Sequence, residues 1–335
     1  MPLFSCHTEF TSAPEGEKHF KLTSTEQLKD PYYSQEIEDF YDTGSEGTFQ
    51  GKADINIYYK IFKQNPAAKA AIMISSGRTE AAIKYKELIF DLCKNGYDVY
   101  IHDHRGQGLS GRMTEDPEMG YIDSFQFYID DMKIFYEKFM KAGAYEKHFL
   151  LAHSLGGAIA MSYLEQHPDD FSAAAFSSPM LGLNAPTCAL VGILTGKETK
   201  YAAGEGGYNN DKIPFEENHV TGSVTRFKRG IVAFDKVPDA RLGGATYQWV
   251  HRSCQHIKLL FASIDQLKTP FILFSAQNEE VVNPKSHQKF IIKARKLDKV
   301  CVAYVIENAQ HEILMEKDEQ RNEIISASLS FFEEY

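Results

Sequence analysis

At 335 residues the chain exceeds one minimal fold and falls short of two full-sized domains, which mostly run to about 100–200 residues each, so one large domain carrying an insertion is expected. A hydrophobic fraction of 43% beside 24% charged residues suits a globular chain with a single core and excludes disorder for its bulk. The 36 basic and 46 acidic side chains leave a net charge of −10, which repels a phosphate backbone and argues against nucleic acid as a partner.

Cys6, Cys93, Cys188, Cys254 and Cys301 are odd in number, widely spaced and never arranged as C-x-x-C. That pattern suggests neither a disulfide framework nor a zinc site, and it reads as a reducing compartment. The start, Met1 to Cys6, has no basic stretch or apolar run of the length a lipoprotein leader needs. No run approaches the roughly 18 consecutive apolar residues of a membrane-spanning helix, so any membrane contact is expected to be peripheral.

Residues 1–46 carry ten acidic and three basic side chains and read as an acidic lead-in with one helix near Ser24 to Phe40. Thr48 to Phe62 then alternates apolar and polar positions around Ile55, Ile57, Tyr59 and Ile61, the pattern of a half-buried strand. Apolar runs without alternation follow at Ala70 to Ser75, Tyr97 to Asp103, His148 to Ala152, Ala173 to Ser177, Pro270 to Ala276 and Val300 to Ile306, as in strands buried on both faces. Helical periodicity separates them at Ala82 to Lys94, Ser124 to Lys141, Leu155 to Gln166, Pro284 to Arg295 and Asp318 to Phe332. Strands alternating with helices predict an α/β fold whose mostly parallel central sheet is covered on both faces. The alternation breaks once. A stretch rich in Gly, Asn and Thr at 183–255 reads as an inserted cap, which leaves 47–182 and 256–335 as the core.

The sharpest motif is His148-Phe-Leu-Leu-Ala-His-Ser-Leu-Gly-Gly157, an apolar strand running into small residues that open a helix. This is the context of the nucleophile elbow G-x-S-x-G, in which small neighbours let a strained turn close around the serine; here Ala152 replaces the first glycine. A serine hydroxyl needs a base, and the base an orienting acid. In the fold that carries this elbow they follow in the order serine, acid, histidine. Glu279 or Glu280 and then His311 fill that order, each at the C-terminal end of an expected strand, where sites form in parallel sheets. Acyl transfer also needs two main-chain N–H groups aimed at the oxyanion. Leu155, directly after the serine, would supply one, and Arg78, in the turn Ser76-Gly-Arg-Thr-Glu80 that Gly77 permits, the other. His102 and His104 at a strand end could ligate a metal, but no carboxylate follows at the next spacing. The glycine-rich run Gly106 to Gly111 lacks both phosphate-loop patterns and reads as a structural loop beside the site.

Taken together, Gly77-Arg-Thr-Glu80, Asp103-His-Arg-Gly-Gln-Gly-Leu-Ser-Gly111, Ala152-His-Ser-Leu-Gly-Gly157 and His311-Glu-Ile-Leu314 resemble the monoacylglycerol lipase and lysophospholipase branch of the α/β-hydrolases, a serine aminopeptidase S33-like group, and most of all its bacterial lysophospholipases of the L-two type. The resemblance extends through Asp239 to Trp249 and Glu316 to Arg321 and so covers nearly everything after residue 50. It implies the α/β-hydrolase fold, Ser154 as nucleophile, His311 as base, Glu279 as acid, and the Arg78 and Leu155 amides as the oxyanion hole. It further implies a serine ester hydrolase acting on lysophospholipids or monoacylglycerols with neither metal nor organic cofactor. Other acyl chemistry on the same fold (peptide or thioester hydrolysis, acyl transfer to a second lysolipid) and a non-catalytic ligand-binding scaffold are the alternatives. The run Cys188 to Leu194 is expected to line an acyl pocket or dip into lipid, with an ordinary buried helix as the alternative. The cluster Arg226, Lys228 and Arg229 is expected to meet anionic lipid where substrate enters. The corresponding location is cytoplasmic, on the inner face of the membrane where the cap makes peripheral contact.

Overall fold

A computed structural model describes residues 20–63, 68, 70–184, 187–188, 198–209 and 213–335. The chain opens with two short helices in place of the single one expected. α1 (Thr25–Lys29) begins in a capping box, with Ser24 Oγ accepting from the Gln27 amide and Gln27 Oε1 accepting from the Ser24 amide. Asp30 adopts extended backbone at φ −72°, ψ 117°, ending α1. Its carboxylate then accepts from Tyr32 N–H, and with Pro31 at the first position it starts α2 (Pro31–Asp42). The lead-in is docked from its first described residues, since Thr23 gives both its amide and its hydroxyl to the buried Asp91 carboxylate.

The alternating stretch from Thr48 to Phe62 is a hairpin. β1 (Ser45–Gln50) runs antiparallel to β2 (Asn56–Phe62), with Ser45 opposite Ile61 and Gln50 opposite Asn56. Ala53 and Asp54 turn the chain at φ 51° and 60°, a left-handed conformation that side chains disfavour. The six apolar runs all form strands: β3 (Ala70–Ser75), β4 (Asp98–His102), β5 (Lys147–His153), β6 (Ala173–Ser177), β7 (Phe271–Ala276) and β8 (Cys301–Ile306). The sheet order is β1-β2-β4-β3-β5-β6-β7-β8, antiparallel up to the β2–β4 pair and parallel from there on. Every residue of β4, β6 and β7 is buried, whereas both edge strands, β1 and β8, are partly open.

Helices α3 (Lys86–Lys94), α4 (Gln126–Phe135), α5 (Ser154–Gln166), α6 (Val224–Lys236), α7 (Tyr247–Ala262), α8 (Pro284–Lys296) and α9 (Asp318–Glu334) complete the described fold. Successive strand residues feed two separate cores, as a pleated sheet requires. Met73, Tyr100 and Leu150 pack on one face with α4 and α5, and Ile72, Ile101 and Leu151 on the other with α3 and α9. The predicted α/β architecture with a mostly parallel sheet is therefore the observed one. No helix among the described residues is long and apolar enough to cross a membrane.

Between β6 and β7 the chain leaves the sheet and returns through α6 and α7. Cys188 and Cys254, 66 positions apart, form a disulfide across this excursion, with their Cα atoms 5.6 Å apart. That corrects the reading of unpaired cysteines. The pair is joined because α7 packs on α5 and carries Cys254 to the segment at 187–188, a tertiary proximity that cysteine spacing cannot encode. Of the run Cys188 to Leu194, residues 189–194 lie outside the described residues.

Candidate active site

The sheet reverses its winding between β3 and β5. The connection from β3 leads to β4 on one side, and that from β5 leads to β6 on the other. Such a reversal opens a crevice at the carboxyl ends of the two central strands. Ser75 pairs with Ala152 across this point, so the loop that carries Arg78 and the turn that carries Ser154 start side by side. Ser154 has φ 49°, the left-handed strain expected of an elbow. Gly156 is obligatory, because a Cβ there would lie 2.2 Å from the Ser75 carbonyl oxygen. Ala152 is fully buried, and its methyl is accommodated where the common motif has glycine.

β7 and β8 pair through Ala276 and Ile306, which brings the two following loops together. His311 Nε2 lies 2.9 Å from Ser154 Oγ, while Nδ1 lies 2.9 and 2.8 Å from the two Glu279 carboxylate oxygens. Because a carboxylate can only accept, Nδ1 carries the proton and donates it to Glu279, leaving Nε2 to accept from the Ser154 hydroxyl. The Glu279 side chain is 0% exposed. Burial alone would raise its pKa, but the His311 hydrogen bond and charge, with the Val282 and Val281 amides, hold it at about 2. Glu280 turns away to His219, at 2.9 Å, with its side chain 65% exposed. The structure thus brings Glu279, and not Glu280, to the histidine.

Arg78 follows β3 and Leu155 occupies the first turn of α5, whose leading N–H groups have no partner within the helix. The left-handed residue of the Arg78 loop is Thr79, at φ 62°, and not Gly77. Gly77 is needed for another reason: a Cβ there would lie 2.6 Å from the Glu80 carboxylate and 2.9 Å from the His153 ring. The Arg78 side chain points away from the loop, donating to the Gly243 carbonyl at 2.8 Å and lying over Trp249.

Sequence reasoning missed the groups that hold this loop. The buried Glu80 carboxylate accepts from the Gly77 amide and the Tyr85 hydroxyl, each at 2.5 Å, and from Lys84 at 2.8 Å. Lys84 also reaches Glu312, the neighbour of His311, at 2.6 Å. Burial would raise the Glu80 pKa, yet the Lys84 and His153 charges and its hydrogen bonds keep it low. The His153 ring centre is 4.8 Å from that of His311, and His153 Nδ1 donates to the Ser177 carbonyl at 3.0 Å. From the glycine-rich stretch, Gln107 donates to the Gly77 and Glu80 carbonyls at 2.7 and 2.9 Å, so this stretch braces the Arg78 loop. Glu80 and Lys84, four residues apart, were visible as an ion-pair spacing, whereas nothing in the sequence joins Lys84 to Glu312. His102 and His104 are fully buried with their rings perpendicular, and His104 Nε2 faces Ser75 Oγ at 3.3 Å.

Of the expected basic cluster, Lys228 is exposed and Arg229 half-buried, but Arg226 leaves the surface. The Arg226 side chain is 1% exposed and pairs with Glu87 and Asp318, both at 2.8 Å. A long side chain at the first turn of an amphipathic helix has folded inward to tie α6 to α3 and α9. A cavity of about 310 Å³ opens beside the crevice. Its rim is Thr79, Lys84 and Glu312, and its apolar wall is Val220, Phe227, Ile231 and Phe234.

Residues 66–318 match the serine aminopeptidase S33 family. Lysophospholipase L2 of Escherichia coli is 34% identical over 314 residues, covering 88% of this chain and 89% of that protein. Mouse monoglyceride lipase is 24% identical over 277 residues, covering 80% of this chain and 84% of its own. Among solved structures, a soluble variant of the Saccharomyces cerevisiae monoglyceride lipase in complex with a substrate analog superposes with a TM-score of 0.67 at 19% identity, over 87% of this chain and 96% of that one. A carboxyl esterase from Bacillus coagulans gives 0.68 at 15% identity, over 87% and 98%. With an S33 match across most of its length and a relative of that identity and coverage, this chain belongs to the serine aminopeptidase S33 family of α/β-hydrolases.

Proposed function

We propose that the protein is a serine ester hydrolase that cleaves the acyl ester of lysophospholipids or monoacylglycerols through an acyl-serine intermediate. The observation that carries the reading is the continuous hydrogen-bonded series Ser154–His311–Glu279, with links of 2.8–2.9 Å, at the carboxyl ends of a parallel sheet. Names of relatives similar over nearly the full chain supply the substrate class by analogy.

In this reading Ser154 Oγ attacks the acyl carbonyl while His311 Nε2 takes its proton. Glu279 keeps the Nδ1 proton in place and stabilises the imidazolium that forms. The Arg78 and Leu155 amides take the oxyanion. His311 then returns the proton to the departing glycerol oxygen, and a water activated by the same nitrogen releases the fatty acid. The apolar wall contributed by α6 suits an acyl chain, with residues 183–255 acting as the cap over the crevice. A peripheral membrane contact through that cap belongs to the same proposal. A cytoplasmic location loses one support, since a disulfide such as Cys188–Cys254 persists in an oxidising compartment.

The test is fatty-acid release from lysophosphatidylcholine and monoacylglycerol by the wild type and by Ser154→Ala, with fluorophosphonate labelling of both. Turnover and labelling should vanish together in the variant while the circular dichroism spectrum persists. Hydrolysis surviving in Ser154→Ala would remove the serine from the mechanism, and a wild type that cleaves only peptides or thioesters would replace the substrate class.

A further inference from the structure

A second cavity, of about 360 Å³, lies between α2 and α6 above the start of α3. Six cations line it, and two of them are committed elsewhere: Lys84 to Glu80 and Glu312, and Arg226 to Glu87 and Asp318. The other four are Lys86, Lys228, Arg229 and Lys236. Of these, Lys86, Arg229 and Lys236 converge on a single carboxylate, that of Glu38, at 2.6, 3.7 and 3.7 Å. Burial would raise the Glu38 pKa, but the Lys86 hydrogen bond and the three neighbouring charges lower it. One carboxylate cannot balance three cations, and Lys228 adds a fourth on the same wall. The excess is local, since the chain as a whole carries −10. Ser34, which also lines the cavity, accepts from Arg229, a bond that does not use its own O–H.

We propose that this cavity is an anion site that takes a phosphate group. A tetrahedral phosphoryl oxyanion presents acceptors in several directions, to an arginine fork, ammonium groups and a hydroxyl at once, which a planar second carboxylate would not. Its position suggests why such a site would be useful. Lys84, Arg226 and Gly230 line both this cavity and the apolar one bordered by Thr79 and Glu312, so a phosphate held here sits next to the cavity proposed for the acyl chain. The phosphate is either a diester headgroup in an anionic lipid surface or a free phosphate; both present anionic tetrahedral phosphoryl oxygens, and the free phosphate carries the second charge. The site requires neither the triad nor the acyl reading.

The full chain is titrated calorimetrically with inorganic phosphate and with glycerol 3-phosphate. It is also floated with vesicles of phosphatidylcholine alone and of an equimolar mixture with phosphatidylglycerol. Each cation near an anionic surface contributes about fivefold to binding. Replacing Lys228, Arg229 and Lys236 together by Gln should therefore lower partitioning to the mixed vesicles on the order of a hundredfold. Hydrolysis of a short ester should be unchanged. Glu38→Gln removes the competing carboxylate and should act oppositely, raising the same affinity by about fivefold. Phosphate binding without preference for the mixed vesicles would assign a free phosphate ester, and vesicle binding without phosphate binding would assign the lipid surface. Binding in neither arm, or binding that the triple variant retains, overturns the proposal. If the triple variant fails to fold, absence of any gain in Glu38→Gln overturns it alone.

Discussion

The Arg78 guanidinium lies 5.0 Å from the centre of the Trp249 ring, and it donates to the Gly243 carbonyl. The residue whose amide is assigned to the oxyanion is thereby fastened through its side chain to the first turn of α7, the helix on which the chain returns to the sheet. Arg78→Ala keeps the amide and removes the fastening. Loss of one oxyanion donor lowers kcat by about 10²–10³, and a displaced donor should cost less, so about 10- to 100-fold is expected on a short ester. The melting temperature should change little. An unaltered kcat would mean that the Gly77 and Glu80 contacts alone fix the loop.

The two adjacent carboxylates give a sharper test. Glu279→Gln retains size and loses the charge that orients His311, a change that in other triads costs about 10⁴ in kcat. Glu280→Gln should stay within about threefold of wild type, because an exposed ion pair such as that with His219 contributes only about 0–1 kcal/mol. Comparable losses in both variants would mean that the acid's role is shared.

The identity of the acid shows where sequence reading stopped. The order serine, acid, histidine and the strand ends were legible, because apolar runs and turn residues mark them. The choice between Glu279 and Glu280 depends on loop register, which is set by Asn278 N–H donating to the Ala309 carbonyl at 2.9 Å, a contact between distant residues. The hairpin at Gly51 to Ile55 was hidden for a different reason. Its left-handed positions are Ala53 and Asp54, not glycines, and the alternation continues across the turn. The break between α1 and α2 was legible in the Ser24-x-x-Gln27 box and in Asp30-Pro31, but the periodicity there reads as one helix. Arg226 shows the limit of charge counting, since a basic run does not reveal which of its members folds inward.

The disulfide should be a stabilising tether. Closing a loop of 66 residues restricts the unfolded chain by about 4 kcal/mol in the chain-entropy account. Cys188→Ser, or reduction, should lower the urea midpoint accordingly. Mass spectrometry after reduction and alkylation should gain adducts at Cys188, which is exposed. Cys93 should resist alkylation in the native state, because burial and then Asp98 raise its pKa well above the ordinary thiol range. An unchanged midpoint would make the bond a passive cross-link.

If the cavity under α6 holds the acyl chain, filling it should shorten the chain that fits. Ile231→Trp places an indole where a half-buried aliphatic lines the wall. The expected result is a fall of at least about tenfold in kcat/KM for long-chain monoacylglycerols with short esters spared, since pocket complementarity of a few methylenes carries about 1–3 kcal/mol. Equal loss on all chain lengths would place the acyl chain elsewhere.

Glu165, on α5, provides a test by pH. It is 7% exposed, its Oε1 has no hydrogen-bond partner, and burial, with Asp265 adding, pushes its pKa up to about 9. An unfolded glutamate ionises near pH 4.5, so between about pH 4.5 and 9 the folded chain holds a proton that the unfolded chain has released. Stability from this group is therefore fully present below the unfolded value and is lost as pH rises through the folded one. Glu165→Gln fixes the neutral form. It should stabilise the protein by on the order of 1–3 kcal/mol at pH 8 and make no difference, or a small loss, at pH 4. Urea denaturation at the two pH values measures this. A stabilisation of the same size at both would show that the gain is not electrostatic, and a destabilisation at pH 8 would show that the carboxylate is ionised and paired in the folded chain.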